Sequence, residues 1–206
     1  MRLLLAGHTY LVGENQKKLV ELAGEPGLEV GVVVPHLWRE PVLNKILPHL
    51  DPASPFTIYP TRIVLSGNEM RHMYLSSDLH LRAFQPDVIV VENGSAALAY
   101  TQFLLYKRWF APRAKAIFFT WWNLPYRARQ PFHAIEQFNL RNSDGAIAGN
   151  RDAELVLRQQ GYLGPVKVLP QLGVDEDLFA LRDGSAIRES LKLGRYVIGF
   201  AGRLVP

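Results

Sequence analysis

The sequence predicts a three-layer α/β/α domain in which helices cover both faces of a mostly parallel sheet of about seven strands. Short, almost uniformly apolar runs alternate with helical segments along the chain. A loop containing Gly, Asn, Ser or Pro separates most runs from the helix that follows. Strands of this composition are buried on both faces, as they are when crossover helices connect parallel strands. The predicted fold is therefore Rossmann-like.

The first half of the chain opens with a strand, a glycine loop and a helix. Residues 3–6 are the strand, Gly7 ends it, and residues 15–23 carry Leu and Val at helical spacing. Residues 35–60 contain six prolines and predict an ordered excursion over the surface. Further elements are expected at 29–34 (strand), 56–59 and 63–65 (extended runs) and 77–84 (helix).

The second half repeats a strand–loop–helix unit three times. Strands are expected at 87–91, 115–120, 145–148 and 166–169, and helices at 96–109, 131–141 and 151–160. Ligands of such sheets bind beyond the carboxyl ends of the strands. That rule selects the loops that follow Ala6, Val91, Thr120 and Ala148.

Composition indicates a folded, cytoplasmic protein and removes several chemistries. Apolar residues make up 48% of the chain and charged residues 20%, as in globular domains. The absence of cysteine excludes disulfides, thiolate metal sites and thiol nucleophiles. No apolar run reaches the roughly 18 to 20 residues that a membrane-spanning helix needs. The net charge of +4 is not concentrated in a basic run, so we expect no nucleic-acid partner.

Two motifs near the end of the chain resemble those of a known enzyme family. The segment 168–179 reads Val-Leu-Pro-Gln-Leu-Gly-Val-Asp-Glu-Asp-Leu-Phe, and the segment 197–204 reads Val-Ile-Gly-Phe-Ala-Gly-Arg-Leu. They resemble motifs of the retaining, two-Rossmann-domain glycosyltransferases of family four (GT-B type). The resemblance implies an N-terminal acceptor-side domain over 1–180 and an interdomain linker over 181–195. Residues 196–206 would be the first strand of a C-terminal donor-binding domain that is missing from these 206 residues.

The resemblance also implies an activity. Such an enzyme transfers a sugar from a nucleotide-diphosphate sugar, with retention, to a sugar, lipid-linked or small-molecule acceptor. Residues 1–206 alone are expected to be inactive because the main donor site lies in the other domain. No cofactor or metal is expected, since the Asp175-Glu176-Asp177 run fits a loop and helix-capping role better than a metal site.

Two residues are expected on the donor side. Arg203 corresponds to an arginine that holds the donor diphosphate in the family, and a guanidinium can clamp two phosphate oxygens. Its alternative role is a solvated loop charge. Gly13 stands at the amino end of the first helix, where free N–H groups attract phosphate, and its alternative role is to permit a tight turn.

Four residues are expected on the acceptor side. Trp122 stands where many relatives have a histidine; it offers an apolar plate for a sugar ring, and Asn123 can bond hydroxyl groups. Of the two tryptophans, Trp121 is expected to pack under the proline-rich excursion. Glu92 follows a buried strand and could bond an acceptor, or be a helix-start charge. Glu136 matches a glutamate often found in the family.

Two other functions remain open from the sequence. The chain could be a stand-alone Rossmann- or flavodoxin-like binding module in which 196–201 is an ordinary sheet strand. It could also be a membrane-surface interaction protein that uses residues 103–115 and 126–129, in peripheral contact with the inner membrane face.

Overall fold

A computed structural model describes residues 1–40, 44–200 and 202 and confirms the predicted α/β architecture. The strands in this part of the chain are β1 (Arg2–Ala6), β2 (Glu29–Pro35), β3 (Trp38–Glu40), β4 (Asn44–Ile46), β5 (Thr57–Thr61), β6 (Ile63–Val64), β7 (Met73–Tyr74), β8 (Val88–Val91), β9 (Lys115–Thr120), β10 (Gly145–Ala148) and β11 (Val166–Val168). The helices are α1 (Gly13–Gly24), α2 (Leu81–Phe84), α3 (Leu98–Phe110), α4 (Phe132–Asn142), α5 (Arg151–Gln159) and α6 (Ser185–Ser190), with a 3-10 turn at His8–Leu11.

Seven of these strands form one sheet in the order β11-β10-β9-β8-β1-β2-β5. Every neighbouring pair in it is parallel. The chain starts in the interior of the sheet at β1, moves outward to β2 and β5, and then returns to β8 on the other side. The direction of winding therefore reverses between β1 and β8, which is where doubly wound sheets open a crevice.

Strand β1 shows why the sheet has a core on each face. Its side chains alternate between the faces, as those of any strand do. Leu4 and Ala6 join a core with residues of α3, α4 and α5, whereas Leu3 and Leu5 join a second core with Leu19 of α1. Helices thus cover both faces, and the three-layer prediction is confirmed.

The proline-rich excursion contains more regular structure than the sequence indicates. Within it, strands β3 and β4 pair in antiparallel fashion, and β6 and β7, which follow the excursion, pair in the same way. Trp38 at the start of β3 is buried in the core on the α1 face. The excursion is therefore anchored to the domain by an aromatic side chain.

The helix predicted at 77–84 is wrong over its first half, because α2 begins at Leu81. Leu79 and His80 have φ values of 52° and 62°, in the left-handed region. Two preceding side chains accept hydrogen bonds from the backbone of these residues. Ser76 Oγ accepts from the Leu79 N–H (2.9 Å), and Asp78 Oδ1 accepts from the His80 N–H (3.1 Å). Such local bonds compete with helix formation.

The chain divides into two compact units, residues 1–172 and residues 173–206. The second unit contains α6, and Asp175 Oδ1 accepts a hydrogen bond from the Leu178 N–H (3.0 Å). The strand expected from residue 196 is absent from residues 196–200, which carry no regular secondary structure. A strand needs a hydrogen-bonded neighbour, and the described part of this unit contains no other strand. The predicted domain boundaries at 180 and 195 stay predictions.

Candidate functional site

A cavity of about 660 Å3 lies at the carboxyl ends of β1, β8 and β9, beside the winding reversal. Its wall includes His8 and Thr9 after β1, residues 92–97 after β8, and Trp121 and Trp122 after β9. Residues 126–132, residues 69–71 and Gln171 complete it. Three of the four loops that the strand-end rule selects therefore line one cavity. The fourth contributes from behind, because Gly149 packs directly against the Trp121 indole.

Glu92 forms part of the cavity floor, and its carboxylate is held by three other segments. Its side chain is only 1% exposed. Oε1 accepts from the Tyr10 hydroxyl (2.7 Å) and from Lys18 Nζ (2.6 Å), and Oε2 accepts from Gln171 Nε2 (2.7 Å). Two causes raise the pKa of the Tyr10 hydroxyl well above its ordinary value: burial, which is the larger, and the nearby Glu92 charge. Tyr10 therefore stays a donor. Glu92 thus joins β8 to α1 and to the segment after β11.

Gln171 extends this network to the aromatic wall of the cavity. Its amide oxygen accepts from Trp121 Nε1 (2.6 Å), while its amide nitrogen donates to Glu92. The Trp121 ring also meets Phe119 edge-on, with ring centroids 5.4 Å apart. Trp121 is 47% exposed, so the expectation that it is packed away beneath the proline-rich excursion is wrong. The hydrogen bond to Gln171 holds it at the cavity wall.

Trp122 presents its ring at the opposite side of the same loop. It is 56% exposed and meets Tyr126 edge-on at 5.3 Å. The Trp122 N–H donates to Thr120 Oγ1 (3.1 Å), which fixes the turn at the end of β9. The result is an exposed indole on an ordered backbone.

Glu136 lies behind the wall, fully buried, and reaches the cavity through two neighbours that line it. Its Oε1 accepts from Ser95 Oγ (2.7 Å) and from the Tyr126 hydroxyl. Burial raises the pKa of Tyr126, so its hydroxyl remains protonated. Glu136 Oε2 is buried without a hydrogen-bond partner. The glutamate therefore fixes the 121–131 loop on α4.

A cluster of aromatic and imidazole rings lies near β3, and His8 is its member on the cavity wall. The His8 ring stacks on Trp38 (centroids 4.5 Å apart), and the His72 ring meets Trp38 edge-on (centroids 5.1 Å apart). His8 Nε2 lies 3.3 Å from a Glu69 carboxylate oxygen, and this hydrogen bond lowers the pKa of Glu69. Burial lowers the pKa of His72 to about 4. His72 is therefore neutral near pH 7.

The structure brings some of the predicted site residues together and separates others. Glu92 and Trp122 line the cavity, and Glu136 supports it. Asn123 is exposed and lies outside the cavity wall. Gly13 also lies outside it, at the start of α1, where its α-carbon faces the His49 imidazole. Arg203 lies outside the described residues.

The sequence reasoning passed over other residues of this site. His8, Glu69 and Gln171 all contact groups that line the cavity. Gln171 could have been found, because it directly follows Pro170 after β11, at the same edge of the sheet. His8 also follows a strand end. Glu69 lies between β6 and β7, and no sequence signal places it at the cavity.

None of the helices in the described part of the chain is both long and apolar enough to cross a membrane. Within the same residues no three His, Asp or Glu side chains are grouped so that they could hold a metal ion.

Comparison with known proteins shows the fold. No family model matches the sequence, and no curated protein matches it. A sucrose-phosphate synthase structure from Thermosynechococcus elongatus is 13% identical, with a TM-score of 0.51 over 93% of this chain and 99% of that chain. Anabaena HepE, solved in complex with UDP and glucose, is 15% identical with a TM-score of 0.52.

The HepE match covers 93% of this chain and 50% of HepE, so the chain spans half the length of that structure. The chain therefore has the fold of a GT-B glycosyltransferase domain. At these identities the likeness defines the architecture, and the activity has to be argued from the cavity.

Proposed function

We propose that residues 1–172 are the acceptor-binding domain of a retaining glycosyltransferase that uses a nucleotide-diphosphate sugar. The donor's nucleotide would be held by a second Rossmann domain, with Gly13 and Arg203 contributing to its phosphates. The observation that carries the proposal is the cavity beside the winding reversal of a GT-B-type sheet. The HepE structure is a complex with UDP and glucose, and this supports a sugar nucleotide as the donor class.

The cavity has the chemistry that a sugar needs. Trp121 and Trp122 offer indole faces, on which the C–H face of a pyranose can pack, and both rings are about half exposed. Thr9, Asn93 and Ser95 add hydroxyl and amide groups to the same wall. A volume of about 660 Å3 lies within the roughly 300 to 1,000 Å3 range of small-molecule sites.

In the proposed enzyme, one domain binds the acceptor and the other binds the donor. Transfer from a nucleotide-diphosphate sugar builds negative charge on the leaving diphosphate, and that charge must be neutralised while water is excluded. Glu92 is already bonded to Tyr10, Lys18 and Gln171. We therefore assign Glu92 to organising the acceptor site rather than to attacking the sugar.

Calorimetric titration of residues 1–206 with glucose and methyl α-glucoside tests the acceptor site. Trp122→Ala should weaken binding about tenfold, because a ring contact of this kind contributes roughly 1.5 kcal/mol. Trp109→Ala is the matched control, since Trp109 is 82% exposed on α3 and does not line the cavity. Equal affinities of the wild type and Trp122→Ala would contradict the proposal.

A second measurement tests the missing donor side. Residues 1–206 incubated with UDP-glucose and a free sugar should release no UDP above the rate of spontaneous hydrolysis. Transfer of glucose by this chain alone would refute the assignment of the donor site to another domain. Retention is tested by the anomeric configuration of the product made by a protein that carries both domains.

A further inference from the structure

The cavity contains a cluster of positive charge that binding of a neutral sugar does not use. Arg71, Arg127 and Arg129 all line it, on two different segments of the chain. The guanidinium of Arg71 lies over the Phe132 ring, 5.3 Å from its centroid. None of the three arginines forms an ion pair with any other group in residues 1–40, 44–200 and 202.

The acidic groups of the cavity wall are already engaged with other partners. Glu92 pairs with Lys18 at 2.6 Å, and Glu69 lies 3.3 Å from His8. Glu136, behind the wall, bonds to Ser95 and Tyr126. The carboxylates of the described cavity wall therefore do not pair with the three arginines.

The shape of the site limits what can satisfy this charge. A guanidinium presents a planar fork of N–H donors that fits the paired oxygens of a phosphate or a carboxylate. The same cavity exposes the indoles of Trp121 and Trp122, which suit a ring or an apolar group. A ligand that binds both the arginines and the indoles has an anionic group next to a ring or an apolar part.

We propose that the acceptor of this domain is anionic and carries a phosphate or carboxylate that Arg127 and Arg129 hold, while its ring or apolar part rests on Trp122. This inference rests on the proposed function, because it assumes that the cavity is the acceptor site. Two sources supply such a group: a soluble sugar phosphate, or the headgroup of an anionic lipid. Leu124, which follows Trp122 by two residues in the sequence, is exposed and is compatible with either source.

Paired titrations test the charge directly. Glucose 6-phosphate and glucose differ by one phosphate group, so their affinities for residues 1–206 isolate its contribution. We expect glucose 6-phosphate to bind at least about tenfold more tightly, since its hydrogen bonds to the guanidinium groups join opposite charges. The preference should decline as salt is added.

The variant Arg127→Gln/Arg129→Gln should remove this preference, so that it binds the two sugars with about equal affinity. Both side chains are exposed, so thermal unfolding should match that of the wild type. Arg113→Gln is the matched control: it removes an exposed arginine just before β9, at the opposite edge of the sheet. A preference that persists in the double variant overturns the proposal. Equal binding of the two sugars by the wild type overturns it when binding to anionic vesicles is also independent of the arginines.

Vesicles distinguish the two sources of the anion. Sedimentation with equimolar phosphatidylglycerol and phosphatidylcholine vesicles, against pure phosphatidylcholine, reports binding to an anionic headgroup. Arginine-dependent binding to the anionic vesicles, with no preference for glucose 6-phosphate, identifies a lipid-borne acceptor. The reverse pattern identifies a soluble one. Arginine-independent results in both assays overturn the proposal.

The outcomes also separate this inference from the proposed function. Trp122-dependent binding of glucose, with neither a preference for phosphate nor arginine-dependent binding to anionic vesicles, leaves the acceptor-domain proposal standing and overturns the anionic acceptor. Arginine-dependent binding of inorganic phosphate with no binding of either sugar supports the anion site and contradicts the acceptor-domain proposal.

Discussion

Glu92 holds the cavity floor by bonding residues that are far apart in the sequence. Its carboxylate receives bonds from Tyr10, Lys18 and Gln171 in a site where it is 1% exposed. Glu92→Gln removes the negative charge and leaves Lys18 beside a neutral amide. We expect the free energy of unfolding to fall by about 2 to 4 kcal/mol, because breaking a buried pair leaves the other charge uncompensated. Urea denaturation of the two proteins measures the change.

The matched control for this variant is Glu154→Gln. Glu154 pairs with Arg158 one turn away on α5, and both side chains are at least one-third exposed. Exposed pairs of this kind contribute roughly 0.3 to 0.5 kcal/mol. A loss at Glu92 no larger than the loss at Glu154 would contradict the role given to the Glu92 network.

His72 makes the stability of the domain depend on pH. Burial lowers its pKa from 6.5 to about 4, so the unfolded chain takes up a proton at a higher pH than the folded chain does. The free energy of unfolding should therefore fall as the pH drops from about 6.5 to about 4, and the His72 contribution should level off below that. The total loss is about 3 kcal/mol.

Urea denaturation across this pH range measures the effect, with His72→Gln as the comparison. Glutamine keeps a side-chain donor for the Asn68 carbonyl, which His72 Nδ1 contacts at 3.2 Å, but it does not titrate. Subtracting the free energy of unfolding of His72→Gln from that of the wild type at each pH cancels the contributions of the carboxylates. Parallel curves would show that His72 is not the titrating group.

At the scale of single residues, the strand-end rule predicted Glu92 and Trp122 correctly as cavity residues. It could not predict their partners. Lys18 is 74 residues from Glu92 in the chain, and Gln171 is 79 residues away. Glu136 was predicted to contact an acceptor, but the structure buries it behind Ser95 and Tyr126. A helical pattern gives the face on which a side chain lies, and it does not give the loop that folds over that face.

The loop after β10 positions an indole that belongs to the loop after β9. A Cβ added to Gly149 would overlap the six-membered ring of Trp121. Gly149→Ala should therefore displace Trp121 and weaken the binding of glucose about tenfold or more, since its hydrogen bond to Gln171 would be strained as well. Calorimetric titration measures the affinity.

Gly145→Ala is the control, because Gly145 lies in β10, the strand that precedes the loop of Gly149. A Cβ there would lie 3.6 Å from Ile117 Cγ1, an ordinary contact distance. It should leave the binding of glucose unchanged. Equal affinity in Gly149→Ala and the wild type would show that Trp121 does not contribute to the site.

Among the elements, apolar strands were predicted best. Strands β1, β9 and β10 match their predicted ranges within a residue, because their uniform burial leaves a continuous apolar run. The helix at 77–84 was predicted from its apolar spacing. Hydrogen bonds from Ser76 and Asp78 to the following backbone N–H groups outweighed that spacing. The extended run predicted at 63–65 contains β6, whereas the short strands β3, β4 and β7 were missed since each is too short to show a period.

For the whole molecule, the sheet and both cores lie within the first compact unit. All seven strands of the sheet fall between Arg2 and Val168, as do all the buried residues of the two cores. Deleting residues 195–206 removes none of them. The free energy of unfolding should change by less than about 0.5 kcal/mol, the size of effect typical of surface changes.

Urea denaturation of residues 1–194 beside residues 1–206 measures this. A loss of more than about 2 kcal/mol would favour the stand-alone module, in which residues 196–201 are an ordinary strand of the sheet. The described residues 196–200 form no strand, which agrees with a small effect.

The architecture of the whole molecule was the most predictable level. Alternation of apolar strands and helices restricts the chain to a parallel sheet with helices on both faces. That alternation does not predict the order of the strands in the sheet, and it therefore does not predict where the winding reverses. It depends on β8 pairing with β1 rather than with β5, which only the three-dimensional packing decides.

The placement of the four tryptophans gives the domain its own optical reporter. Trp121 and Trp122 line the cavity, and Trp38 stacks beneath His8 at its side, whereas Trp109 is 82% exposed on α3. Replacing Trp109 with Phe leaves a protein whose near-ultraviolet fluorescence arises from indoles in or beside the cavity. A sugar that covers Trp122 then shifts the emission to shorter wavelength without any added label.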